Sequence, residues 1–156
     1  HNAVEAGRPL LALDRVQDPQ NVGAIFRAAE CFGVAGIILC KHRSAALTAA
    51  ARKVSAGASE LVPWCTVTNL VQAVKLAKDA GYWIIGTAGE ANTEISQSQI
   101  PQPALIIMGS EGDGIRPGLL SECDVVVKIP LVGTLGSLNV SQATAVVLYE
   151  LSKKTN

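Results

Sequence analysis

The sequence predicts an α/β protein: a parallel β-sheet sandwiched between two layers of helices, formed by a single domain over residues 1–156. Three observations carry that expectation. Short apolar runs rich in Leu, Ile and Val alternate with helical patterns along the chain, the order that βαβ units produce. Those runs are apolar throughout, as strands covered on both faces require. Finally, 156 residues with 49% hydrophobic and 17% charged side chains are enough for one packed core and argue against disorder.

The elements follow in order. PLLALDRV (9–16) reads as a buried strand, and Asp18-Pro19 can cap and start the next helix. That helix carries Val22, Ile25, Phe26, Ala29 and Phe32 on one face, and Gly33 stops it. GIILC (36–40) is a second strand, followed by an Ala-rich helix from about Ser44. LVPWCTV (61–67) is a weaker strand whose Pro63 points to a sheet edge or a bend. Asn69 can cap the helix LVQAVKLAKDA, which Gly81 closes. YWIIGT (82–87) and ALIIM (104–108) are strands separated by a polar loop ending in IPQP. VVVKI (125–129) is the last strand. Beyond it a helix buries Val140, Thr144, Val147, Leu148 and Leu151, with Ser137 or Asn139 as its cap.

Lys plus Arg equals Asp plus Glu, 13 each, so net charge gives no sign of a nucleic-acid partner. Local charge does: no acidic residue lies between Glu30 and Glu60, an interval holding Lys41, Arg43, Arg52 and Lys53. Such a patch could meet phosphates, or could be a solvated helix face. The cysteines at 31, 40, 65 and 123 show no C-x-x-C spacing and the two histidines stand apart, so a metal site is not expected. Apolar neighbours suggest that Cys31, Cys40 and Cys65 are buried reduced thiols in a cytoplasmic protein. No run reaches the ~18 apolar residues of a membrane span. The chain opens on His1 and reaches a strand within ten residues, as if cut from something longer.

Three polar stretches follow strands, where parallel sheets place their ligands. In QDPQNVGAIFRAAECFG (17–33), Arg27 stands opposite the apolar stripe, among Gly23, Ala24, Ala28 and Cys31. Small neighbours would let a ligand backbone or a second subunit approach; on spacing alone, a surface arginine beside Glu30 is the plainer reading. MGSEGDGI (108–115) is a glycine loop, but its G-x-x-G-x-G order and missing Lys match neither a dinucleotide fingerprint nor a P-loop. Glu111 and Asp113 would repel a pyrophosphate, so a phosphate-free, positively charged nucleoside fits better than a nucleotide; a plain turn is the alternative. IPLVGTLGSLNVSQA (129–143) carries more polar groups at a strand-to-helix corner than capping needs, equipment for an adenine edge or a ribose, or redundant turn residues.

Together these stretches resemble the SpoU or TrmH class of the SPOUT superfamily, RNA ribose 2′-O-methyltransferases that use S-adenosylmethionine. The carriers are N-V-G-A-I-F-R-A-A with Asn21 and Arg27, I-M-G-S-E-G-D-G-I around Gly109 and Glu111, and I-P-L…S-L-N-V-S with Ile129, Ser137, Leu138 and Asn139. They stand in the family's order and spacing, and the likeness covers nearly the whole chain. R-S-A-A-L-T-A-A-A-R-K-V-S-A-G-A-S-E (43–60) and G-T-A-G-E-A (86–91) look most like the enzymes acting on a guanosine of 23S ribosomal RNA.

The resemblance implies a C-terminal trefoil knot, an exception to unknotted topology, and a homodimer. It implies a bent cofactor held by Gly109, Ile129, Leu138 and Thr87, leaving as S-adenosylhomocysteine, with no metal. Arg27, Asn21, Glu111, Ser137 and Asn139 would form the catalytic group, and Lys41, Arg43, Arg52 and Lys53 would line the RNA path. The subfamily's N-terminal RNA-binding domain is absent from this sequence. Rival readings are a tRNA guanosine 2′-O-methyltransferase, a resistance methyltransferase of ribosomal RNA, or a non-catalytic RNA-binding scaffold of the same fold. A nucleotide-binding oxidoreductase is disfavoured by the glycine order and the acidic loop.

Overall fold

A computed structural model describes residues 7–40, 49–110 and 114–154. Seven strands form one sheet, all parallel: β1 (Leu10–Asp14), β2 (Gly36–Cys40), β3 (Trp64–Val67), β4 (Trp83–Thr87), β5 (Thr93–Glu94), β6 (Ala104–Gly109) and β7 (Val125–Lys128). Their spatial order is β3-β2-β1-β6-β4-β7-β5. The helices are α1 (Pro19–Cys31), α2 (Ala49–Val54), α3 (Leu70–Asp79), α4 (Pro117–Leu120) and α5 (Val140–Lys154).

The period of two along each strand divides the core. Leu11 and Leu13 of β1 face a cluster with Val22, Ile25 and Phe26 of α1 and Val147 and Leu148 of α5. Ala12 points the other way, into a cluster with Leu70 and Val74 of α3 and Leu119 of α4. The expected three-layer α/β/α sandwich follows. Phe26 is fully buried and meets the Trp64 ring edge-on at 6.5 Å between centroids; burying a side chain of this size contributes roughly 2–3 kcal/mol.

Local signals act where the sequence places them. The Asp18 carboxylate accepts from the Gln20 N–H at 2.8 Å, and the Asn69 side chain accepts from the Gln72 N–H at 3.1 Å. Gly33 (φ +73°) and Gly81 (φ +107°) adopt the left-handed conformation that ends α1 and α3. β3 is an edge strand, as Pro63 suggests, although it starts only at Trp64. The polar loop after β4 is not featureless: it holds the two-residue β5 and a 3₁₀ turn at Ile95–Gln97, too short for a periodic pattern to register. The Ala-rich helix is described from Ala49; its expected start near Ser44 lies outside the described residues.

Two expectations are corrected. Cys31 and Cys65 are exposed, and only Cys40 of the three is buried. Cys31 closes α1 on its outer side, and Cys65 lies on the edge strand, whose side chains are mostly uncovered. Nor is the face around Arg27 uniformly open. Gly23 is buried, and a Cβ there would run into the Ala51 carbonyl and come within 2.7 Å of the Val54 Cβ. That glycine seats α2 against α1.

β7 is inserted between β4 and β5. Val127 pairs with Thr87 on one side and Thr93 on the other, and the Ala88 N–H donates to the Val127 carbonyl at 3.0 Å. Residues 88–92 thus cross β7 to link two strands that it separates. No described helix is long and apolar enough to cross a membrane.

Candidate functional site

The carboxyl ends of β4, β6 and β7, together with the chain leading into α5, enclose a cleft of about 360 Å³. Thr87, Gly109, Ile129 and Leu138, the four residues assigned to a cofactor by resemblance, all line it, and Ser137 does too. They come from four separated stretches; pairing of β4 with β6 brings Thr87 beside the end of β6, and pairing of β7 with β4 brings Ile129 to the same end of the sheet. The walls mix apolar side chains such as Met108, Ile115 and Val140 with backbone from Gly109, Gly114 and Gly136, a composition suited to a small molecule of mixed polarity.

The floor is close-packed. Thr87 spends its hydroxyl on the Ile107 carbonyl at 3.0 Å, tying β4 to β6 at the cleft's edge. Gly109 cannot be replaced without moving backbone, because a Cβ would collide with Gly114 and approach the Ile115 nitrogen to 2.7 Å. Gly114 lies back against the end of β6: its N–H donates to the Ser110 carbonyl at 2.9 Å, and the two residues form an antiparallel bridge.

The catalytic group expected from the sequence is divided. Ser137 is in the cleft. Asn21 is half-buried in the first turn of α1 and Arg27 is exposed two turns later; neither is a cleft wall. The ion pairs among the described residues do not include one between Arg27 and Glu30. Asn139 is the cap of α5: its Oδ1 accepts from the Ser141 N–H at 2.9 Å and from the Ser141 hydroxyl at 2.5 Å. Arg52 and Lys53 are exposed on α2, packed beside α1 on the same side of the sheet as Arg27. Glu111, Lys41 and Arg43 lie outside the described residues.

Sequence reasoning missed a charged group behind the cleft wall. Asp14, at the end of β1 beside Gly109, is fully buried, and its carboxylate accepts from the Arg116 N–H at 3.1 Å and the Arg116 Nε–H at 2.9 Å. Arg15 donates through Nη2 to the Gly114 carbonyl at 3.1 Å. The available signal was an acid closing an otherwise apolar strand, LLALD. Cys123 was also unread: its Sγ would lie 2.7 Å from a Cβ on Gly86, and burial, with Asp124 and Glu122 nearby, pushes its thiol up to about 11. No cluster of three or more potential metal-ligating side chains occurs among the described residues.

A parallel α/β/α sandwich with a cleft built over late strand ends by the segment entering the last helix defines a small-molecule-binding class of fold. Within it, residues 8–149 match the SpoU rRNA Methylase family, and the chain belongs to that family. It is similar to the 23S rRNA (guanosine-2′-O-)-methyltransferase RlmB of Pseudomonas syringae pv. tomato, with 46% identity over 141 residues, 90% of this chain and 56% of that protein. The chain therefore spans somewhat over half the length of such relatives. Among solved structures, an AdoMet-bound rRNA methyltransferase from Sinorhizobium meliloti superposes with a TM-score of 0.87 at 28% identity, covering 94% of this chain and 56% of that one. The SpoU methyltransferase AviRb from Streptomyces viridochromogenes in complex with AdoMet gives 0.85 at 26%, covering 94% and 57%.

Proposed function

We propose that this chain is the catalytic domain, residues 1–156, of an S-adenosylmethionine-dependent RNA methyltransferase acting on a ribose 2′-hydroxyl, with a guanosine of 23S ribosomal RNA as the target. The convergence of Thr87, Gly109, Ile129, Ser137 and Leu138 on one cleft is the observation that carries it. The cleft fits the cofactor on its own terms: its volume is in the range of small-molecule sites, and the lack of side chains at Gly109, Gly114 and Gly136 lets a ligand lie close against the wall. The likeness to enzymes of 23S rRNA supports the choice of RNA and a cytoplasmic place of work. The additional length of those relatives is read as a separate RNA-binding unit.

When bound, S-adenosylmethionine supplies a methyl group on a sulfonium, already a good leaving group. The chain's own task is to align the ribose oxygen and to favour loss of its proton. Arg27 is too weak a base to take that proton itself. Its guanidinium would instead stabilise the developing alkoxide and grip an adjacent phosphate, with Asn21 orienting it and Glu111, Ser137 and Asn139 in support. Arg52 and Lys53, exposed on α2, would meet the RNA backbone, a role that the resemblance gives to Lys41 and Arg43 as well.

Because Arg27 stands on α1 rather than in the cleft wall, a second subunit is read as completing the site. Val132 and Leu135 are almost fully exposed in the segment before α5, and Val146 and Tyr149 on α5 are also uncovered. These apolar groups support a homodimer. A knotted C-terminus is the matching topological reading, supported by the crossing of 88–92 over β7.

The deciding experiment is a calorimetric titration with S-adenosylhomocysteine, using NADH as a control. The expected result is one ligand bound per chain and no heat from NADH. An inert protein in both titrations would overturn the methyltransferase reading and favour a non-catalytic scaffold; where S-adenosylhomocysteine does bind, methylation assays on 23S rRNA and tRNA separate the ribosomal from the transfer-RNA target.

A further inference from the structure

Gly109, Ser110, Gly114 and Ile115 form one wall of the cleft, yet little within the wall itself explains why it keeps its shape. Gly114 and Ser110 are joined by an isolated bridge. What holds the wall lies behind, in residues that do not line the cleft: Asp14 and Arg15 at the end of β1, and Arg116. Asp14 is fully buried and holds Arg116 at two points, backbone and guanidinium. Arg15 holds the Gly114 carbonyl and has its Nε 3.8 Å from the Asp14 carboxylate. Arg15 also has φ +60°, a left-handed backbone that a non-glycine residue adopts only where its surroundings impose it. Its Nε–H is buried without a hydrogen-bond partner among the described residues, a further cost tolerated at this position.

A buried carboxylate shared by two arginines is a poor device for bulk stability, since apolar residues of like volume fill such space as well or better. It does fix geometry. The limb Gly114–Arg116 is tied at both ends, by Arg15 at Gly114 and by Asp14 at Arg116, while Gly109 lies against Gly114 too closely to admit a Cβ. The limb is thereby pinned flush to the end of β6.

We propose that Asp14, Arg15 and Arg116 are positioning residues that preorganise the wall of Gly109, Gly114 and Ile115 for the cofactor. The inference rests on the cofactor reading above, and deepens it by assigning the affinity of the cleft to residues outside it.

The test compares wild type with Asp14→Asn, which keeps the shape and removes the charge, and with Arg15→Gly, which removes the tether to Gly114 while relieving the left-handed backbone. Two readouts are taken well below the thermal midpoint: the Kd for S-adenosylhomocysteine, and amide hydrogen exchange at Gly114 and Arg116. Preorganisation predicts a Kd raised about tenfold or more in both variants, with faster exchange at those two amides and no change in the strands. Arg15→Gly should do this with little loss of thermal stability. A merely structural role would lower the thermal midpoint of Asp14→Asn and leave Kd and local exchange unchanged, and that result overturns the proposal. Should wild type take up no S-adenosylhomocysteine, the methyltransferase reading fails by itself, and exchange still decides the clamp: unaltered protection at Gly114 and Arg116 sinks it, accelerated exchange supports it.

Discussion

Single atoms set the tolerances of the packing beneath the cleft. Gly86 of β4 lies so close to the Cys123 thiol that a Cβ would meet the sulfur at 2.7 Å, so Gly86→Ala should destabilise by about 1–3 kcal/mol through overpacking. Cys123→Ala removes the obstructing sulfur and leaves only its Cβ, 3.6 Å away. Alanine at both positions should therefore cost less than the sum of the two single changes, a coupling that a double-mutant cycle in urea would register. Strict additivity would show that the strand shifts to accommodate the methyl group. For Arg27 the prediction concerns chemistry: Arg27→Lys should keep S-adenosylhomocysteine affinity and lose about 100-fold or more in turnover, because a point charge cannot reproduce a planar fork. Near-normal turnover in a methylation assay would remove Arg27 from the catalytic group.

Elements make Asn139 informative, since the residue assigned by resemblance to the catalytic pocket is the cap of α5. Asn139→Ala should lower stability by about 1 kcal/mol, whereas Asn139→Asp, which retains the accepting oxygen, should stay near wild type on thermal unfolding. If turnover follows stability across the pair, capping accounts for the residue. If Asn139→Asp is stable and slow, the amide has a second task. The strands and the caps at Asp18 and Asn69 were legible because they depend on neighbours in sequence: an apolar run, or an oxygen two or three residues ahead of an N–H. Strand order was not legible, and neither was the place of β5, whose two residues are too few to show any period. The clamp through Asp14 was hidden because a contact between distant residues leaves no local pattern, and its partner Arg116 lies 102 residues away. Cleft residues were found through resemblance in stretches each weak alone: Thr87 in 86–91, Gly109 in 108–115, and Ile129, Ser137 and Leu138 in 129–143, whereas 17–33 supplies no cleft wall. The exposure of Cys31 and Cys65 was misjudged because apolar neighbours in sequence do not reveal an edge strand or the outer side of a helix.

At the scale of the molecule, the exposed Arg52 and Lys53 share a helical layer with Arg27, although the chain as a whole is neutral. Reversing both to Glu should weaken RNA binding and flatten the plot of log affinity against log salt by about 2. An unchanged affinity and slope would make that surface an ordinary solvated one. The insertion of β7 between β4 and β5 also has a consequence for synthesis. A chain emerging from the ribosome presents β1 to β4 and β6 first, while β5 waits for its neighbour β7, and the cleft lacks its remaining walls until Val127–Leu131 and Gly136–Ala143 have arrived. Growth from the N-terminus thus yields an apprentice form with most of a sheet and no binding site. Ligand can play no part in guiding the early assembly of the sheet, and the capacity to bind is acquired in one late step.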